Sequence, residues 1–340
     1  MENMSKNELV HGGQLNKMVQ RYGIPLEQWL DLSTGIAPTS FPIPTIPQNV
    51  WKQLPQPSEA LLSAANDYYQ TENLLPIAGS QAVIQILPKI AAKQGYAVSR
   101  VWVPKVGYQE HRKAWQEAGY GIMFYQDISE IATMQQQDIV VLINPNNPSG
   151  VTYSYTQVEW LFSQIKQQAG LLIIDEAFMD STPQHSFIAK THDPAAIVLR
   201  SVGKFYGLAG IRLGFVSAHQ IWLDGFSQQL GPWSINGPAQ YIGQRALADK
   251  AWQNQQRTFL KAQSLQLAGL LHTTFNQAPT GTFLFQTVRC EQAPLVFEKL
   301  CQQGIYVRLC DEQNALRFGI PDENGLTRLK QVLPMLFCYP

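Results

Sequence analysis

The sequence predicts an α/β protein, a large, mostly parallel sheet domain with helices packed on it, followed by a smaller α+β domain. Three observations carry this expectation. Between about residue 100 and residue 217, short apolar runs rich in β-branched residues alternate with stretches of helical period. The runs are apolar at consecutive positions, as strands buried on both faces require. The last hundred residues change character, with a long helical stretch followed by short strands mixed with helices.

Residues 1–40, which lead into the Pro-rich Phe41–Pro47, read as an arm lying on the surface. Residues 41–235 form the large domain. Its strands are Val101–Val103, Ile139–Ile143, Leu171–Ile174, Ile197–Leu199 and Phe215–Ser217, each too short for a helix. Thr156–Gln168 places Val158, Leu161, Phe162 and Ile165 on one stripe and reads as a helix between two of them. Such alternation builds a parallel sheet. Residues 236–340 form a linker helix and the small C-terminal domain. Ala251–His272 is the long helix, followed by strands Thr282–Gln286, Ile305–Arg308 and Leu316–Gly319 and helices Pro294–Gln303 and Thr327–Leu336.

With 340 residues the chain has room for about two domains. The 25 basic side chains balance the 25 acidic ones, and a net charge of zero argues against a nucleic-acid partner. Cys290, Cys301, Cys310 and Cys338 fit neither a CxxC metal site nor a disulfide scaffold. No His-Glu-x-x-His occurs and no metal is expected. Without an 18-residue apolar run or a leader pattern, the expectation is a cytoplasmic protein with no membrane contact.

Three strands end in polar motifs: Ile139–Ile143 before Asn144-Pro-Asn-Asn-Pro-Ser-Gly150, Leu171–Ile174 before Asp175-Glu-Ala-Phe178, and Ile197–Leu199 before Arg200-Ser-Val-Gly-Lys-Phe-Tyr-Gly207. Ligands of open α/β sheets bind outside the carboxyl ends of the strands. The spacings from Asn147 to Asp175 and on to Lys204, 28 and 29 residues, each match one strand–helix–strand unit. An amide, a carboxylate and an amine therefore converge on one sheet edge. Ala78-Gly-Ser-Gln81 opens a helix, where free N–H groups suit a phosphate. Pyridoxal 5′-phosphate needs such a set: a lysine for its aldehyde, a carboxylate for its ring nitrogen and donors for its phosphate. Ser201-Val-Gly-Lys204 also fits the Ser-x-x-Lys of β-lactamase-like acylases, but their Ser-Asp-Asn and Lys-Thr-Gly elements are missing.

Ser201-Val-Gly-Lys-Phe-Tyr-Gly-Leu-Ala-Gly-Ile-Arg-Leu-Gly214 and Asn147-Pro-Ser-Gly150 resemble motifs of the fold-type-I pyridoxal-phosphate enzymes, the aspartate aminotransferase superfamily. The resemblance implies roles. Lys204 would bind the cofactor aldehyde, Asp175 would keep the ring nitrogen protonated, and Asn147 would hydrogen-bond the ring hydroxyl. Ser80, Gln81, Ser201 and Arg212 would hold the phosphate, and Tyr108 would stack on the ring. Arg317 matches the arginine that clamps the substrate carboxylate.

His11-Gly-Gly13, Asp31-Leu-Ser-Thr-Gly-Ile-Ala-Pro38 and Asp175-Glu-Ala-Phe178 are similar to one branch, the threonine-phosphate decarboxylases of cobalamin biosynthesis, relatives of histidinol-phosphate aminotransferases. That branch implies decarboxylation of O-phospho-L-threonine, a small phosphorylated amino acid, to (R)-1-aminopropan-2-yl phosphate by a homodimer. His11 and the backbone of Gly12 are then candidates for the substrate phosphate, with Arg308 and Arg328 as weaker ones. Phe178 stands where aminotransferases usually carry a tyrosine. Ala37, Gly203 and Leu54 depart from the family pattern, at an arm asparagine, a phosphate donor and a tyrosine reaching across the dimer. A histidinol-phosphate-type aminotransferase and a non-catalytic binding protein on the same fold remain the alternatives.

Overall fold

The computed structural model describes residues 12–336. Two compact units divide them: Thr39–Asn147 with Val151–Arg257, and the residues up to Pro38 with Pro148–Gly150 and everything from Thr258. The N-terminal segment contributes helix α1 (Leu15–Tyr22) and strand β1 (Leu30–Asp31) to the second of these.

The larger unit begins with α2 (Gln48–Lys52), α3 (Glu59–Tyr69), β2 (Leu74–Ile77) and α4 (Ser80–Ala91). There follow β3 (Arg100–Pro104), α5 (Gln109–Glu117), β4 (Gly121–Tyr125), β5 (Ile139–Ile143), α6 (Tyr155–Gln167), β6 (Leu171–Asp175), β7 (Ala196–Ser201), α7 (Val202–Phe205) and β8 (Gly214–Ala218). Helices α8 (Gln220–Leu230) and α9 (Gly237–Ala248) close the unit, and its boundary falls inside the 26-residue α10 (Lys250–Phe275). The strands form one seven-stranded sheet in the order β2-β8-β7-β6-β5-β3-β4. Only β8 runs against the others.

Every residue of β5 and β6 is buried, which is why their sequences are unbroken apolar runs. Helix α4 turns Val83, Ile84, Leu87 and Ile90 into the core around Ile77, Val101, Ile139 and Val216. Helix α6 starts at a reciprocal capping box between Ser154 and Gln157 and buries the four apolar residues that the sequence assigns to its stripe. Strands β2 and β4 are absent from the sequence expectation for physical reasons. Both are edge strands; Pro76 interrupts the first, and the second is half-exposed with few β-branched residues.

The smaller unit adds β9 (Thr280–Thr282), β10 (Phe285–Arg289), α11 (Ala293–Gln302), β11 (Ile305–Tyr306), β12 (Arg308–Leu309), β13 (Ala315–Gly319) and α12 (Glu323–Met335). An antiparallel sheet runs β12-β13-β10-β9, while β1 pairs in parallel with β11. The expected strand Thr282–Gln286 is a hairpin, because the Thr282 hydroxyl accepts from Leu284 N–H at 2.9 Å and turns the chain. The expected strand Ile305–Arg308 splits at Val307 between the two sheets.

The N-terminal segment also differs from a surface arm. Leu30 and Leu32 donate to the carbonyls of Gly304 and Tyr306, and the Leu32 carbonyl accepts from Gly319. Leu32 and Ser33 are buried, so residues 29–33 are part of this unit's core. Among the described residues no helix is long and apolar enough to cross a membrane.

Candidate active site

Strands β5, β6 and β7 lie side by side in parallel register, with Ile143 opposite Asp175 and Asp175 opposite Leu199. Their carboxyl ends deliver Asn147, Asp175 and Ser201–Lys204 to the same edge. Asp175 is buried, and its carboxylate is fixed twice: Oδ1 accepts from Ala177 N–H at 3.0 Å and Oδ2 lies 2.9 Å from His111 Nε2. Lys204 Nζ sits 5.7 Å from the centre of the Phe178 ring, three residues beyond Asp175. Asn147 leaves a loop closed at its base by Asn144, whose side-chain amide donates to Tyr153 O at 3.0 Å and accepts from Tyr153 N–H at 2.9 Å.

The next segment is the turn that the sequence suggests for a phosphate. Gly79 at φ 78° turns the chain into α4, and no side chain caps the helix there, so its leading N–H groups face outward at Ser80 and Gln81. The Arg212 guanidinium lies over this turn. A Cβ on Gly79 would stand 2.6 Å from Arg212 Nη2, and the φ of 78° itself favours glycine. Arg212 itself occupies the left-handed region at φ 54°, a strain of about 1 kcal/mol or more for a non-glycine residue. Ser201 pairs with Gly214, beside Gly79. Gly203 has no room for a hydroxyl side chain, because a Cβ there would meet Ala209 Cα at 2.8 Å.

Tyr108 stands at the N-cap position of α5, and its hydroxyl donates to Gln81 Oε1 at 3.2 Å. The Gln81 amide donates in turn to Glu110 at 2.8 Å, so this side chain orients the tyrosine while its backbone belongs to the helix start. The Tyr108 ring meets His111 edge-on at 6.2 Å. A continuous path thus runs from Gln81 through Tyr108 and His111 to Asp175. His111 is absent from the sequence-derived site. Its position one turn after Tyr108 on α5 was the available signal, but its partner lies 64 residues away.

Beneath these groups lies a buried ion cluster. Arg200 donates to Glu176 at 2.6 Å, to Ser186 at 3.1 Å and to Asp180. Arg257 donates to the Asp180 carbonyl at 3.1 Å and to the Tyr68 hydroxyl at 3.0 Å. Burial pushes the Glu176 carboxyl up in pKa, against the pull of Arg200. Glu176 follows Asp175 and Arg200 precedes Ser201, so the cluster ties the two strand ends together.

In the smaller unit, Arg308 on β12 stands directly opposite Arg317 on β13, and both are buried. Like charges facing each other across strands are destabilising. Arg308 forms an ion pair with Asp311 at 3.6 Å. Burial, and after it the charge of Arg308, pushes the Arg317 guanidinium down to about 9. Arg317 Nη2 donates to Ser33 O at 2.5 Å. A Cβ on Gly12 would lie 2.2 Å from that same oxygen, which places Gly12 beside Arg317. His11 lies outside the described residues. Arg328 instead donates to the carbonyls of Gln28 and Gln303, at 2.8 and 2.6 Å, and works as a backbone clamp.

Fold and site together define an enzyme of the aminotransferase class I and II family. The chain belongs to that family, whose sequence model matches residues 48–333. It is 40% identical to the threonine-phosphate decarboxylase of Pseudomonas aeruginosa over 96% of this chain and 97% of that protein. It is 36% identical to the Sinorhizobium threonine-phosphate decarboxylase with the same coverage. The histidinol-phosphate aminotransferase of Sinorhizobium meliloti, solved in complex with pyridoxal-5′-phosphate, superposes with a TM-score of 0.78 at 16% identity, covering 99% and 98% of the two chains.

The residues present fit pyridoxal 5′-phosphate, the cofactor of this family. The glycine-lined turn under Arg212 offers helix N–H groups and a guanidinium for its phosphate. The doubly anchored Asp175 offers a carboxylate whose position is set before any ligand arrives.

Proposed function

We propose that the protein decarboxylates O-phospho-L-threonine to (R)-1-aminopropan-2-yl phosphate, with Lys204 as the lysine that binds the cofactor. The observation that carries this substrate is the facing pair Arg308 and Arg317. A phosphate monoester carries close to two negative charges at neutral pH, and two buried guanidiniums match it better than they match a single carboxylate. The resemblance alone would give Arg317 to the substrate carboxylate. With Arg308 opposite, the pair goes to the phosphate, with Gly12 at that end. A carboxylate left outside a guanidinium clamp is free to depart as carbon dioxide.

When bound, pyridoxal phosphate supplies a ring that accepts the electron pair left by the departing carboxylate. The protein's part is positional and electrostatic. Asp175, locked by His111 and Ala177, would keep the ring nitrogen protonated. Asn147 would hydrogen-bond the ring hydroxyl, Tyr108 would stack on the ring, and Ser80, Gln81, Ser201 and Arg212 would hold its phosphate. In net terms the bond from Cα to the carboxylate breaks, and a proton takes its place on Cα. Phe178 presents no hydroxyl, so the ring oxygen lacks the tyrosine donor that aminotransferases use.

The active form is a homodimer in this reading. Ile43, Trp51 and Leu54 are 62, 63 and 62% exposed on the larger unit, a large apolar display for a lone subunit. Cys290, Cys301 and Cys310 are free thiols, in keeping with a reducing cytoplasm. Incubation of the pure protein with pyridoxal phosphate and phosphothreonine tests the activity. Carbon dioxide release without any amino acceptor is expected, and amino transfer to 2-oxoglutarate would instead mark an aminotransferase.

A further inference from the structure

We propose that Ser33, held in place by Asp31, is the positioning residue of the substrate-phosphate site, aiming Arg317 with its carbonyl and shaping the Gly12–Gly13 loop with its hydroxyl. The inference rests on the reading of Arg308 and Arg317 as that site. Ser33 is fully buried, and all of its polar atoms are engaged. Its N–H and its hydroxyl both donate to Asp31 Oδ1, at 2.9 and 2.7 Å. The hydroxyl oxygen accepts from Gly13 N–H at 2.8 Å, and the carbonyl accepts from Arg317 Nη2 at 2.5 Å.

The Ser33 carbonyl is neutral, so its hydrogen bond directs the Arg317 guanidinium without itself cancelling charge. Asp31 spends its oxygen on the Ser33 N–H and O–H and thereby sets the hydroxyl rotor, which leaves the oxygen lone pair pointing at Gly13. The segment cannot drift. Leu32 O accepts from Gly319 N–H at 2.7 Å, and a Cβ on Gly319 would lie 2.4 Å from Thr34 O, so β13 and this loop move as one piece. Arg317 and the glycine loop are therefore set by a single serine, 284 residues from the arginine in sequence.

The test compares Ser33→Ala, Asp31→Ala and Asp31→Asn in the holoenzyme, with calorimetric titration of phosphothreonine into cofactor-free protein as a second readout. Ser33→Ala and Asp31→Ala should raise KM and the dissociation constant roughly tenfold, the loss of one hydrogen bond's worth of orientation, with kcat and the visible spectrum nearly unchanged. Asp31→Asn keeps the Oδ1 acceptor and should recover most of the affinity. KM within twofold of the parent in both alanine variants would overturn the inference, as would a fall in kcat at constant KM. Equal damage from Asp31→Asn and Asp31→Ala would also overturn it, because charge and not orientation would then be responsible. If Ser33→Ala does not fold, the two Asp31 variants decide alone. A parent protein that neither binds nor decarboxylates phosphothreonine would fail the functional reading instead. Titration with inorganic phosphate would then judge Ser33, since weaker phosphate binding in the Asp31→Ala variant upholds its role and equal binding removes it.

Discussion

Phe178 and Arg317 each set a proton balance through what surrounds them. Placing a hydroxyl at position 178, next to Lys204 Nζ, would add a donor to the ring oxygen of the cofactor. One such hydrogen bond of about 1 kcal/mol corresponds to about 0.7 of a pH unit. Phe178→Tyr should therefore lower the apparent pKa in the visible absorbance of the holoenzyme by roughly that amount and slow decarboxylation. An unmoved titration would show that this side chain does not face the ring oxygen. Burial pushes the Arg317 guanidinium down to about 9, well below its ordinary range. Above about 9 and up to that ordinary range the unfolded chain holds the extra proton, so the ligand-free fold gains stability from this group as pH rises through the window. Binding runs the other way. Affinity for phosphothreonine should hold from neutral pH to about 9 and fall above it, and calorimetry across that range checks the limb.

Strand ends are where the sequence spoke most clearly. The placement of Lys204, Asp175, Asn147 and Ser201 at one sheet edge was legible because β5 and β6 are buried throughout and β7 is buried up to Ser201, so their polar endings stand out against apolar runs. The same logic failed for β2 and β4, which lie at the sheet's edges and carry no such contrast. Partners across long separations were invisible: His111 for Asp175, Ser33 for Arg317, and Arg200 for Glu176 and Asp180. Periodicity reports which face a residue takes, not what it meets there. The Arg200 cluster gives the element-scale prediction. Arg200→Met leaves two buried carboxylates without their cation and should cost roughly 3–5 kcal/mol of stability. Chemical denaturation measures this, and a loss under about 1 kcal/mol would mean that the ends of β6 and β7 are braced by something else.

At the scale of the whole molecule, the N-terminal segment illustrates how an element can be misjudged when its partners are distant. Residues 29–33 form too short a run to announce a core, yet they pair with β11 and bond to β13 near the far end of the chain. The apolar residues around Trp51 raise the matter of assembly. Sedimentation should find a dimer, and Trp51→Asp should shift it toward monomer at micromolar concentration; a monomeric parent protein would remove the homodimer from this account.

The fate of the hydrogen on Cα separates the two chemistries that this fold supports. Phosphothreonine carrying deuterium at Cα, turned over in ordinary water, should give aminopropanol phosphate that retains the label beside one new solvent proton. Loss of that deuterium with formation of a keto acid would contradict decarboxylation at the Lys204 site.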